Sequence, residues 1–102
     1  MVLNTLNKKI ADTLRKYPVS KAAIFGSFAK GTQTKNSDID ILIEPSEPIS
    51  LFTILQLENE LGKIMKRRID IVEYTAIKPS IKKSVLKDAI SILWKIETTK
   101  YI

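Results

Sequence analysis

Phe25-Gly26-Ser27-Phe28-Ala29-Lys30-Gly31-Thr32-Gln33-Thr34-Lys35-Asn36-Ser37-Asp38-Ile39-Asp40-Ile41-Leu42-Ile43-Glu44 is the stretch on which the fold turns. Its second part alternates: Ile39, Ile41 and Ile43 fall on one phase, Asp38, Asp40 and Leu42 on the other. A period of two is that of a β-strand, so residues 38–44 read as a strand with an isoleucine face toward a core and an aspartate face away from it. The first part, Gly26 to Ser37, is small and polar and punctuated by Gly26 and Gly31. It reads as a loop with room for one helical turn. Immediately upstream, Val19–Phe25 is short, apolar and bounded by Pro18 and Gly26, the pattern of a buried strand.

Outward from this centre the periodicity changes. Leu3, Leu6, Ile10, Leu14 and Tyr17 recur in steps of three or four, an amphipathic helix that Pro18 ends. Downstream, Pro45 and Pro48 break the strand, Ser50 offers an N-cap, and Ile54, Leu57, Leu61, Ile64 and Met65 carry a second helix. Residues 68–74 alternate again, with Ile69 and Ile71 on one face and Asp70 and Val72 on the other. A last helix is expected from Pro79, favoured at a first helical position, through Ile81, Val85, Ala89 and Leu93. The order predicts one α/β domain over residues 1–102, a small mixed sheet of about three strands covered by helices. The helix between the second and third strands is long enough for a crossover, so those strands should be parallel neighbours. Such pairing gathers Asp38, Asp40 and Asp70 at one end of the sheet.

That gathering has chemical content. Two aspartates two apart on a strand project from one face, about 6–7 Å apart at the backbone. Three like charges held near one another make sense around cations. The chain has no cysteine and no histidine, so a metal here must be held by oxygen. Magnesium fits: it takes oxygen ligands, keeps waters and is completed by substrate phosphates. Two such ions about 4 Å apart serve an in-line displacement at phosphorus. Upstream, Gly26 lets a ligand approach the backbone, and exposed N–H groups with the Ser27 hydroxyl suit phosphate oxygens.

Gly26-Ser27, ten intervening residues, then Asp38-Ile39-Asp40 resembles the signature of the DNA polymerase beta-like nucleotidyltransferase superfamily. The stretch from Phe25 to Glu44 is similar to its minimal prokaryotic members, RIDIVEY at residues 68–74 resembles the strand with the family's third carboxylate, and IKPSIKKSVLKDAI at residues 77–90 looks like this group's last helix. The resemblance implies a polymerase beta palm-like fold and a site in which Asp38, Asp40 and Asp70 are both catalytic and metal-holding. By the same resemblance Ser27 and the Gly26 backbone hold the β- and γ-phosphates, with Lys30 and Ser37 as further nucleotide contacts and two Mg2+ ions as cofactors, Mn2+ being the alternative. Lys30 stands where relatives often carry arginine, keeping the charge without the bidentate fork. The implied substrate is ATP or another NTP. The implied acceptor is a tyrosine hydroxyl of a HEPN-type toxin, with this chain acting as antitoxin.

Other readings bound this one. The net charge of +6 suits an anionic partner. A nucleic-acid binder is disfavoured, because Tyr17, Phe25, Phe28, Phe52, Tyr74, Trp94 and Tyr101 are scattered and form no stacking platform. An inhibitory binding subunit with a weak or vestigial site is the alternative to an enzyme. No apolar run approaches the ~18 residues of a membrane span, and a cytoplasmic protein without membrane partners is expected. Glycines at 26 and 31 also suit ordinary turns, and Asp70 also suits a solvated strand carboxylate. Lys63, Lys66, Arg67 and Arg68, with Lys83 and Lys87, read as solvated charge, the alternative being that one of them faces an acidic partner or nucleic acid. The apolar tail, Ile92 to Ile96 with Tyr101 and Ile102, either seals the core or forms an edge, which leaves a homo-oligomer open.

Overall fold

The computed structural model describes residues 2–94. Helix α1 (Val2–Leu14) ends ahead of Pro18, and β1 (Val19–Phe25) follows over the span its sequence predicts. A short helix α2 (Ser27–Lys30) opens the polar loop. Then come β2 (Ile39–Pro45), α3 (Leu51–Met65) and β3 (Ile69–Glu73). A 3-10 turn at Tyr74–Ala76 leads into α4 (Pro79–Asp88) and β4 (Ile90–Trp94).

The strands form one sheet in the order β3-β2-β1-β4. β1 runs antiparallel to both β2 and β4, whereas β2 and β3 are parallel, as the crossover length requires. The isoleucine phases face the core: Ile39, Ile41, Ile43 and Ile69 join Ile10, Leu14, Ile24, Leu57 and Leu61 in one buried cluster. Leu42, on the aspartate phase, is also fully buried, so that face is not bare.

Local signals set the ends of these elements. The Ser50 hydroxyl accepts the Thr53 N–H at 3.2 Å and starts α3. α3 stops where Lys66 adopts a left-handed conformation, φ 55 and ψ 39, and caps Gly62 O. On the outer side of β3, Glu58 Oε2 accepts the Ile71 N–H at 2.9 Å, which shields an edge strand from further pairing. Tyr17 donates to Glu60 Oε1 at 2.8 Å, and Lys16 pairs with Glu60 as well, tying the end of α1 to α3.

Two expectations need correction. The sheet has four strands among the described residues, not about three, and the last helix stops at Asp88 instead of running through Ala89 to Leu93. Ala89 is extended (φ −65, ψ 140), and the next residues pair with β1 through Lys21↔Trp94, Ala22↔Leu93 and Ile24↔Ile90. Without β4, β1, whose Val19, Ala22, Ala23 and Ile24 are buried, would present an unpaired edge. Leu93 enters the core from this strand, so the tail seals the core and forms an edge at once as far as Trp94. Lys95, Ile96, Tyr101 and Ile102 lie outside the described residues, as do the side chains of Leu3, Leu6 and Trp94. Among the described residues no helix is long and apolar enough to cross a membrane.

Candidate active site

The register of three strands assembles the site. Asp40 is paired with Phe25 at the end of β1 on one side and with Asp70 on β3 on the other. Residues fifteen and thirty positions from Asp40 in sequence thus become its lateral neighbours at one end of the sheet. Asp38 lies just ahead of β2, and the Ile39 N–H donates to Arg68 O at 2.9 Å, locking the starts of β2 and β3 together.

Gly26 makes the tightest join. It sits at φ 72 and ψ −149, a region open to glycine, and a Cβ placed there would lie 2.4 Å from Asp40 Oδ2. The turn that follows is ordered by its own backbone: Gly26 O accepts the Ala29 and Lys30 N–H groups, and Ser27 O accepts that of Thr32 at 2.9 Å. Ser27 begins α2 beside Asp40's glycine neighbour, while Lys30 is exposed at the helix's end. The Ser37 hydroxyl is engaged inside the loop, accepting the Thr34 N–H at 2.7 Å and lying 3.2 Å from Thr34 Oγ1.

Electrostatically the site is strongly acidic at its centre. Burial pushes the Asp40 carboxyl up from the usual carboxylate range, and the negative charges of Asp70 and then Asp38 push it the same way. Among the described residues no cation pairs with Asp40. Arg68 supplies the local positive charge: its Nε is 3.7 Å from Asp70 Oδ1 and 4.0 Å from Asp38 Oδ2. Its neighbour Arg67 donates from Nη1 to the carbonyls of Ser37 (2.9 Å), Lys35 (3.2 Å) and Thr34 (3.3 Å), and its guanidinium lies 5.0 Å from the centre of the Phe28 ring. Arg67 therefore staples the polar loop to the α3–β3 turn.

Both were read as solvated charge: Arg68 is so, at 76% exposed, whereas Arg67 is drawn into the loop by its carbonyl bonds and is the one the sequence reading missed. The available signal was positional: the two arginines directly precede the strand that carries Asp70. Two recesses flank them. One of about 440 Å3 is bounded by Leu55, Glu58, Lys63, Arg67, Arg68 and Asp70, and another of about 240 Å3 by Lys35, Ser37, Asp38, Lys66, Arg67 and Arg68.

The donor set fits a hard divalent cation: three carboxylates share one sheet end, one of them reluctant to ionise, and the nearest glycine leaves room at Asp40. In this conformation no three acidic side chains among the described residues stand close enough to share one ion.

Comparison with known proteins decides the family. The model for "Polymerase beta, Nucleotidyltransferase" matches residues 8–98. The chain belongs to the polymerase beta nucleotidyltransferase family. It is accordingly an enzyme of that class, a nucleotidyltransferase. Within the family, it is 31% identical over 88 residues to the protein adenylyltransferase MntA of Thermococcus cleftensis, covering 86% of this chain and 87% of that one. It is 38% identical over 93 residues to a Methanocaldococcus jannaschii protein whose name proposes it as a protein adenylyltransferase, covering 91% of this chain and all of that one. Among solved structures, one proposed as a minimal nucleotidyltransferase superposes with a TM-score of 0.76 at 26% identity, over 87% of this chain and 91% of that one. A chain from a toxin–antitoxin with AMP-PNP shares the fold with a TM-score of 0.76 at 23% identity, over 93% and 77% of the two chains. The family resemblance and the palm-like α/β fold expected from the sequence are thus borne out. Nucleotidyltransferases of this kind generally work with divalent metals.

Proposed function

We propose that this nucleotidyltransferase is a protein adenylyltransferase that transfers AMP from ATP, with Mg2+, to a tyrosine hydroxyl of a HEPN-type toxin and so acts as its antitoxin. The observation that carries the reading is the lateral register Phe25↔Asp40↔Asp70, which sets the Gly26-Ser27 turn on one side of the DxD pair and the third carboxylate on the other. Support for the acceptor comes from relatives: MntA is named a protein adenylyltransferase, and a Shewanella oneidensis antitoxin of this fold was solved with a tri-AMPylated HEPN toxin.

In this mechanism the Gly26 backbone and the Ser27 hydroxyl receive the β- and γ-phosphate oxygens, with Lys30 and Ser37 alongside. Asp38, Asp40 and Asp70 would hold the Mg2+ ions, two in this reading. When bound, the metal would supply neutralisation of the charge that develops on the transferring phosphate. The acceptor oxygen forms a bond to the α-phosphorus, the bridging bond to the β-phosphate breaks, and pyrophosphate departs. Asp70 takes the hydroxyl proton. The recess beside Asp70 supports an approach of the acceptor from the β3 edge.

The experiment is incubation with α-labelled ATP, Mg2+ and the partner toxin, with Asp38→Ala/Asp40→Ala alongside. Label on the toxin with the wild type alone is the expected result; no label with either chain sinks the reading. A second reading, a binding subunit that inhibits sterically, draws on the ungathered carboxylates and on the exposed apolar residues Leu51, Phe52 and Leu55 of α3. Under that reading the double variant neutralises the toxin as fully as the wild type.

A further inference from the structure

Arg68 is unusual in where it spends its charge. Its backbone is fixed by the Ile39 N–H bond to its carbonyl, yet its side chain is 76% exposed. The guanidinium reaches Asp70 and Asp38 through the single atom Nε, at 3.7 and 4.0 Å, and not through its bidentate fork. These are long, solvent-screened contacts of the kind that contribute little and break readily. Arg68 also borders both recesses, standing between the one that ends at Asp70 and the one that ends at Asp38. Three carboxylates at one sheet end leave a net negative cluster even after one arginine is counted.

We propose that Arg68 is a built-in counter-cation that occupies Asp38 and Asp70 until a divalent ion displaces it, so that the chain holds down its own affinity for the bare ion. The inference rests on the reading of Asp38, Asp40 and Asp70 as the metal-holding set. A site of this kind disfavours idle loading by metal alone. It fills when metal arrives with a triphosphate, whose oxygens complete the coordination and whose negative charge offers the released guanidinium a new partner. Arg68 is thus a positioning residue acting through the two carboxylates.

The test titrates Mn2+ alone, without nucleotide, into the whole chain at low salt, following free Mn2+ by electron paramagnetic resonance. Wild type, Arg68→Gln, Arg68→Met, Arg68→Lys and Asp38→Ala/Asp40→Ala are compared. Loss of one loosely held surface charge should tighten binding about three- to fivefold in both neutral variants, with Arg68→Lys close to wild type. The gain should shrink as salt rises, because screening weakens the competition. Damage to the structure would weaken binding, so tighter binding is a readout that a merely architectural role does not produce. Equal or weaker Mn2+ binding in both neutral variants overturns the proposal while leaving the metal site standing. Unchanged Mn2+ binding in the double aspartate variant overturns the metal-site reading on which it rests.

Discussion

At the scale of single residues, the site depends on one missing methyl group. Gly26→Ala would press its Cβ against Asp40 Oδ2 and force an L-residue into a positive φ. We expect a loss of about 1–3 kcal/mol of stability and, from a displaced carboxylate, at least ~100-fold of transfer activity. Urea melts and a labelled-ATP assay check the two parts. Asp40 gives the opposite sign for stability. Its pKa is raised in the folded state, so the protonated form favours folding below the ordinary carboxylate pKa, and that contribution is lost as pH rises through the folded value. At neutral pH the ionised group is a net cost, and Asp40→Asn should raise the Tm by about 2–4 °C at pH 7 in EDTA while abolishing activity. A lower Tm would show that hydrogen bonds to the carboxylate outweigh the repulsion. The aspartates themselves were legible in the sequence, because alternation with isoleucine fixed their face. The approach of Gly26 to Asp40 was not, since it depends on a backbone angle and a cross-strand register that no local pattern encodes.

At the scale of elements, the joins between helices and loops carry the predictions. Tyr17 bridges α1 to α3, and burial, with its hydrogen bond to Glu60, pushes its hydroxyl up to about 12. Its raised folded pKa contributes stability in full below pH 10, lost between pH 10 and about 12. Tyr17→Phe should cost about 1 kcal/mol at pH 8, and the gap from wild type should close over that alkaline window in paired chemical denaturations. Arg67 joins the polar loop to β3. Arg67→Ala removes its carbonyl contacts and its place over Phe28, and we expect KM for the nucleotide to rise more than kcat falls, since the loop loosens while the carboxylates stay on their strands. A fall confined to kcat would reject the staple. The sequence displayed the elements through their periods and the Ser50 cap, but hid these joins. Arg67 acts through carbonyls some thirty residues away, and the left-handed Lys66 that aims it carries no glycine to announce it.

At the scale of the whole molecule, the sheet closes with a strand that sequence periodicity assigns to a helix. Val85, Ala89 and Leu93 satisfy a helical spacing, yet the buried β1 needs a second partner and Leu93 is required in the core. Tertiary pairing therefore outweighs local spacing. Removing residues 89–102 should abolish the cooperative thermal transition, because it uncovers β1 along its length; a truncated chain with a sharp melt would show that β4 is an accessory. The contact between Gly26 and Asp40 also has a historical consequence. Two motifs that look independent along the chain form one unit of inheritance, since the carboxylate, together with the positive φ, keeps anything larger from position 26. A descendant that abandons catalysis and survives as a steric inhibitor is freed from the steric part of that constraint, though not from the positive φ. Once the carboxylate at 40 shrinks, alanine or serine at 26 loses its clash, and the paired drift of those two positions becomes a fossil record of when the chemistry stopped.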